Sequence, residues 1–409
     1  MLQGDSSMHP TTRVIRLLLA TLLMAGFTAC SGLSAVRKTP PAGQEPAPSA
    51  LPATLQSTAI PADPQLSTPF TSSNHIMFDV GIEPREIAVA DLNDFSQLDV
   101  VVTNSGDGTL TILLGTGDER LLGSRSSVQA GLNPSDVDAL DVDRDGDVDL
   151  VVANHETPNI TVLLNNGLAG FEQAPYSPVD TDALPHVHGL ATADFNGDGW
   201  LDVAVDSADT RQVRMLHGSS LGFMESTSVD VETMPYYRLG ASDMTRDGIT
   251  ELLVPGHSDQ TIRIIQFESD RYIIAQTISL ESQPWMVIGA DINADSRNDV
   301  IVVETDLVSI WLADTEGYSP AQASPYSIRG ATEIAAGDMN GDHSSDIVIG
   351  SWDSDEVIVI TGGDLVTSRI NMCQRPIRLA VADLDADGKS ELLSTCPLEN
   401  KLMIAFSVP

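Results

Sequence analysis

The sequence predicts an all-β fold: a seven-bladed β-propeller whose last blade is closed by an N-terminal strand. Three observations carry this expectation. A nine-residue acidic segment occurs seven times, starting at residues 91, 141, 194, 243, 291, 338 and 383, that is 50, 53, 49, 48, 47 and 45 residues apart. Each copy lies between short runs of β-branched and small residues, so one period holds four short strands rather than a helical unit. The last copy ends one strand short, while a surplus strand precedes the first.

The elements follow in chain order. Arg13 and Arg16 precede an apolar run, Leu17 to Phe27, and small residues lead to Cys30. Residues 1–30 thus read as a signal peptide, with Met8 as an alternative start; the run is short for a transmembrane helix. Cys30 after small residues resembles the lipobox of bacterial lipoproteins, with Phe27 where that pattern usually has leucine. The resemblance implies a lipid on Cys30, and Ser31, which is not the retention aspartate, implies the outer membrane or cell surface of a bacterial envelope. An ordinary signal peptide cut near Ala29 is the alternative. Residues 31–70 are rich in Pro, Ala, Ser and Thr and cannot bury a core; a disordered tether is expected. The propeller takes residues 71–409.

Within each repeat a first strand, such as Glu86 to Ala90 or Arg378 to Ala382, leads into the acidic segment. A second follows at once (Val100 to Asn104, Leu150 to Asn154, Ile347 to Ser351), and a polar turn gives a third (Thr109 to Gly115, Asn159 to Asn165, Glu356 to Gly362). A fourth, less regular segment often opens with Gly-Phe or Gly-Tyr, as at Gly170-Phe171, Gly222-Phe223 and Gly317-Tyr318. The seventh repeat ends at its third strand, Lys401 to Pro409. Asn74 to Gly81 is the surplus strand that completes its blade and leaves no open edge.

Composition narrows the function. A formal net charge of -37 argues against nucleic acid and anionic lipid, because phosphates are repelled. It suits a binder of divalent cations. No nucleophile elbow, phosphate loop, HExxH or dinucleotide fingerprint occurs.

The motif D-x-[DN]-x-D-G-x-x-[DE], followed by strands like "VVAN" and the hairpin "TVLLNNG" (Thr161 to Gly167), resembles the FG-GAP and VCBS repeats of β-propellers related to the integrin alpha-chain head. The nonapeptide itself suits a hard cation. Positions 1, 3 and 5 offer side-chain oxygens, position 7 a carbonyl, position 9 both carboxylate oxygens, and Gly at position 6 the sharp turn. Oxygen-only ligands favour Ca²⁺, and about six structural sites are expected. The fullest sets are Asp141, Asp143, Asp145, Asp147 (through its carbonyl) and Asp149; Asp194, Asn196, Asp198 and Asp202; and Asp383, Asp385, Asp387 and Glu391. The fourth copy has Asp243, Thr245, Asp247 and Glu251. The fifth (Asp291, Asn293, Asp295, Asp299) and sixth (Asp338, Asn340, Asp342, Asp346) keep the ligands but carry Ser296 and His343 in place of the turn glycine, which leaves their turn geometry open. The first has Phe95 at position 5 and is expected to be degenerate, with Asp91 and Asp99 kept for turn hydrogen bonds. Solvated Asx turns without metal are the bland alternative.

The face opposite the acidic loops carries the turns that enter each first strand, often after Pro. Residues there are expected to ring the channel mouth: Arg85, Asp136, His186, His188, Tyr236, Tyr237, Arg238, Trp285 and Arg378, with Trp352 further out. Aromatics with a few charges suit a glycan or a protein ligand. Cys373 and Cys396 form either a disulfide or two buried free thiols. The leading expectation is a non-enzymatic, surface-tethered, monomeric binding or adhesion protein. The alternatives are a polysaccharide lyase using His186, His188, Tyr236, Tyr237 and Arg238, or a scaffold for an envelope complex.

Overall fold

Every second strand carries a short apolar run behind its acidic first residue, and all of its positions are buried, so both of its faces are covered. The computed structural model shows how. It describes residues 75–117, 122–184, 187–207, 210–223 and 225–406. The signal peptide, Cys30, the tether and His186 lie outside the described residues. Among the described residues are thirty strands and no helix, arranged in seven antiparallel sheets.

The first strand is β1 (His75–Asp79). Blade 1 is β2 (Pro84–Ala90), β3 (Asp99–Asn104), β4 (Thr109–Gly115) and β5 (Leu122–Gln129). Blade 2 is β6 (Pro134–Leu140), β7 (Asp149–Asn154) and β8 (Asn159–Asn165), with its outer edge split into β9 (Phe171–Gln173) and β10 (Val179–Asp180). Blade 3 is β11 (Leu190–Ala193), β12 (Asp202–Ser207), β13 (Gln212–His217) and β14 (Glu225–Asp230). Blade 4 is β15 (Gly240–Ser242), β16 (Glu251–Gly256), β17 (Thr261–Glu268) and β18 (Arg271–Ser279). Blade 5 is β19 (Pro284–Ala290), β20 (Asp299–Glu304) and β21 (Leu307–Ala313), with outer pieces β22 (Tyr318–Pro320) and β23 (Tyr326–Ser327). Blade 6 is β24 (Ala331–Gly337), β25 (Asp346–Ser351), β26 (Glu356–Ile360) and β27 (Thr367–Asn371). Blade 7 is β28 (Leu379–Ala382), β29 (Glu391–Cys396) and β30 (Lys401–Ala405), closed by β1.

The first strands line the centre and touch in turn from β2 through β6, β11, β15, β19, β24 and β28 back to β2. Alternation along each second strand splits its side chains between two cores. Val100 and Val102 pack against blade 7 with Leu393 and Leu402, while Val101 between them packs against blade 2 with Leu150 and Val152. The same division recurs around the ring, so each apolar cluster joins two neighbouring blades. Each fully buried Val or Ile contributes roughly 1.5–3 kcal/mol.

At the seam, β1 pairs antiparallel with β30, His75 opposite Ala405 and Phe78 opposite Leu402. Asp79 pairs with Lys401. Cys373 and Cys396 are joined by a disulfide, with Cα atoms 5.9 Å apart, which ties the entry of blade 7 to the end of β29.

Candidate functional site

The seven acidic loops share one hydrogen-bond scheme. The position-1 carboxylate (Asp91, Asp141, Asp194, Asp243, Asp291, Asp338, Asp383) accepts the position-6 N–H at 2.7–3.1 Å in every copy. Position 5 caps the loop while staying exposed: Asp145, Asp198, Asp247, Asp295, Asp342 and Asp387 accept the position-7 N–H at 2.8–2.9 Å. Positions 4 and 6 are both left-handed in all seven loops. Ser296 and His343 reach φ of 65° and 71°, so the loops without glycine make the same turn as those with it. The first loop makes it too, with Ser96 at φ 61° and Phe95 exposed.

Position 9 opens each second strand and is buried in every copy. The sequence assigned both of its oxygens to a cation. In the structure they also latch the blade. In six copies one oxygen accepts the position-2 N–H, as from Val142 to Asp149 at 3.0 Å and from Leu384 to Glu391 at 2.8 Å. In five copies the other takes an N–H from the end of the third strand, such as Asn165 to Asp149 at 2.7 Å. A carboxylate oxygen has lone pairs for a further ligand. Burial pushes Asp149 and Asp299 up to about 6 and Glu391 up to about 7, against the pull of these N–H groups.

Two loops already gather three carboxylates: Asp141, Asp143 and Asp149, and Asp383, Asp385 and Glu391, each with ligand oxygens within 4.8 Å of one another. Asp143 and Asp385 are raised first by burial and then by the neighbouring aspartates Asp145 and Asp387. Asp141 Oδ1 and Asp202 Oδ2 are buried with no hydrogen-bond partner. Crowded oxygen-only donors with unmet buried oxygens fit a hard divalent cation. Thr245, by contrast, turns its hydroxyl onto Glu251 at 3.3 Å. The loops are also coupled around the ring, since Asn298, Ser345 and Ser390 each donate to the position-1 carbonyl of the preceding blade, at 3.0, 3.0 and 2.8 Å.

On the opposite face the structure separates residues that the sequence grouped at the channel mouth. Arg238 and Arg378 are not open to a ligand. Arg238 meets Glu86 at 2.7 Å, Glu333 at 2.9 Å and Asp136 at 3.5 Å. Arg378 meets Glu333 at 2.7 Å, Glu86 at 3.2 Å and the Tyr237 hydroxyl at 2.5 Å. Bulges after Pro134, Pro284 and Ala331 shift the register just before Asp136, Met286 and Glu333, and the one between Pro84 and Ile87 contains Glu86. The channel is thus plugged by ion pairs drawn from five blades. Burial pushes Glu86 up to about 7, with Arg238 pulling it back, and pushes Asp138 up to about 7 with Asp136 adding to the rise.

Beside this plug, four half-buried rings touch one another. Tyr236 lies 4.8 Å from His188, 5.2 Å from His257 and 5.8 Å from Trp285, and His257 lies 4.7 Å from Trp285. His155 extends the cluster, 5.5 Å from His188. The fully buried Asp206 holds His188 through both its Nδ1 (2.6 Å) and its backbone N–H (3.0 Å). His257 Nδ1 donates to the Pro284 carbonyl (3.2 Å), and Trp285 Nε1 donates to Thr305 Oγ1 (3.2 Å). Tyr237 turns away to Arg378, Arg85 donates to Ser105 Oγ at 3.1 Å, and Trp352 stands exposed beside Gly330.

The sequence reading missed Glu86, Glu333, Asp206, His155 and His257. A signal was present: His155, His257 and Trp352 each directly follow a second strand, the position whose N–H bonds to the residue just before the entering turn in five blades.

The profile described as FG-GAP-like repeat matches residues 91–152, 141–205 and 291–349, each window opening on a position-1 aspartate. No curated protein matches the chain. Among solved structures, the fold is similar to BBS1N in complex with ARL6DN. The lead-soaked crystal gives 14% identity, coverage of 84% of this chain and 95% of that one, and a TM-score of 0.56. The mercury-soaked crystal gives 15%, 81%, 97% and 0.57. A streptogramin B lyase structure gives 15%, 82%, 98% and 0.54. At such identities the likeness is one of fold.

Proposed function

Starting from a seven-bladed propeller that carries FG-GAP-like repeats, we propose that the chain is a calcium-stabilised binding protein whose ligand, a glycan or a protein segment, rests on the ring cluster at the channel mouth. The contact of His188, Tyr236, His257 and Trp285 carries this reading. Tyr236, His257 and Trp285 are partly exposed; backed by the mostly buried His188 that Asp206 holds, and with Trp285 fixed by Thr305, they offer a rigid apolar platform with polar edges, which suits stacking against a sugar face or a peptide side chain. Calcium in the acidic loops is structural in this reading, holding each blade's first and second strands. The tether and a lipid on Cys30 hold the propeller off a bacterial envelope as a monomer.

The lyase alternative has less support. Arg238, its candidate for neutralising a uronate, is already matched by Glu86, Glu333 and Asp136. The test is a glycan and peptide array in Ca²⁺, followed by Trp285→Ala and Tyr236→Ala. Each substitution is expected to weaken the selected ligand roughly tenfold or more. No ligand on either array, unchanged affinity in both variants, or unsaturated products from uronate polymers would overturn the proposal.

A further inference from the structure

The third acidic loop departs from the other six. In those, the position-2 N–H donates to the position-9 carboxylate. In the third, Asp202 accepts Gly218 N–H on Oδ1 at 3.0 Å and lies 3.5 Å from His217 Nδ1, but its Oδ2 meets no partner although the side chain is fully buried. A cleft opens there, lined by Asn196, Asp198, His217, Thr227, Phe267 and Tyr272.

Tyr272 belongs to β18, the fourth strand of blade 4, so it reaches this loop from the next blade. Its ring packs edge-on to Phe267 at 5.0 Å and parallel to His217 at 6.1 Å. Its hydroxyl is buried and also lacks a partner. Tyr272 lines one cleft with Asn196 and Asp198 of the loop, and the His217 it stacks on lies 3.5 Å from Asp202 Oδ1. Tyr272 and Asp202, each with an unmet buried oxygen, therefore both lie against His217 without bonding each other. Each such oxygen destabilises the fold if nothing answers it. The carboxylate can only accept, while the phenol both donates and accepts.

We propose that Tyr272 completes the cation site of the third acidic loop across the blade boundary, its hydroxyl holding the ion or an ion-bound water, so that occupancy clamps blade 4 to blade 3. The proposal rests on the calcium reading above.

The test compares Tyr272→Phe with Tyr326→Phe. Tyr326 also buries an unpartnered hydroxyl, but only burial shifts it and no carboxylate contributes. Melting curves are recorded in excess chelator and across a Ca²⁺ titration. Tyr272→Phe should match or exceed the parent in chelator, fall below it in saturating Ca²⁺, and need roughly fivefold more Ca²⁺ for half the stabilisation. Tyr326→Phe should shift both conditions alike. If ordinary water fills the cleft, Tyr272→Phe will behave like Tyr326→Phe with an unchanged Ca²⁺ midpoint, and the role of Tyr272 is overturned. A parent chain indifferent to Ca²⁺ overturns both this role and the calcium reading beneath it.

Discussion

Ser296 and His343 occupy a left-handed position that four of the seven loops fill with glycine. An L-residue there costs about 1–2 kcal/mol, partly offset because glycine loosens the unfolded chain by ~0.4–1 kcal/mol. Both side chains are exposed, and the bonds made at this position use the backbone N–H. Ser296→Gly and His343→Gly should therefore each raise stability by roughly 0.5–1 kcal/mol in denaturant unfolding. A loss in either variant would mean that these turns differ in strain from the glycine ones. The glycine at position 6 was legible because only one residue type suits that φ well. Position 4 was not, since it holds residues as different as Arg144, Ala294 and Gly341. The carboxylate bonds impose its conformation, not the residue's own preference.

Strand β1 contributes little core of its own, but it covers the edge of β30 from Lys401 to Ala405. Deleting residues 75–79 would bare that row of N–H and C=O groups and uncover part of the cluster around Leu402 and Ile404. The shortened chain should melt well below the parent and associate on size-exclusion chromatography; a monomer with an unchanged melting curve would contradict the seam. This pairing could be read from strand count alone, because one repeat lacked what the N-terminus had in excess. The split outer edges of blades 2 and 5 could not, since their pieces of two or three residues carry no period. The channel plug was equally hidden. Glu86 and Arg238 lie 152 residues apart, and only closure of the ring brings them to 2.7 Å.

Across the ring, the chain sets 58 acidic residues against 21 basic ones and buries an acidic group at the head of every second strand. Without cations these groups oppose folding. Asp149, Asp299 and Glu391 sit at about 6 to 7 in the fold, above the value near 4 of an unfolded carboxyl. A carboxyl raised in this way favours the fold at low pH and loses that contribution as pH climbs through its folded value. In chelator the melting temperature should thus rise as pH falls from about 7 to about 5, and Ca²⁺ should flatten the trend. A metal-free chain that loses stability over that interval would contradict the assignment. The decisive measurement is the melting curve of the purified chain at neutral pH in excess chelator and again after Ca²⁺ is returned. A fall of many degrees that Ca²⁺ reverses is expected; superimposable curves would mean that the acidic loops hold the blades together without an ion.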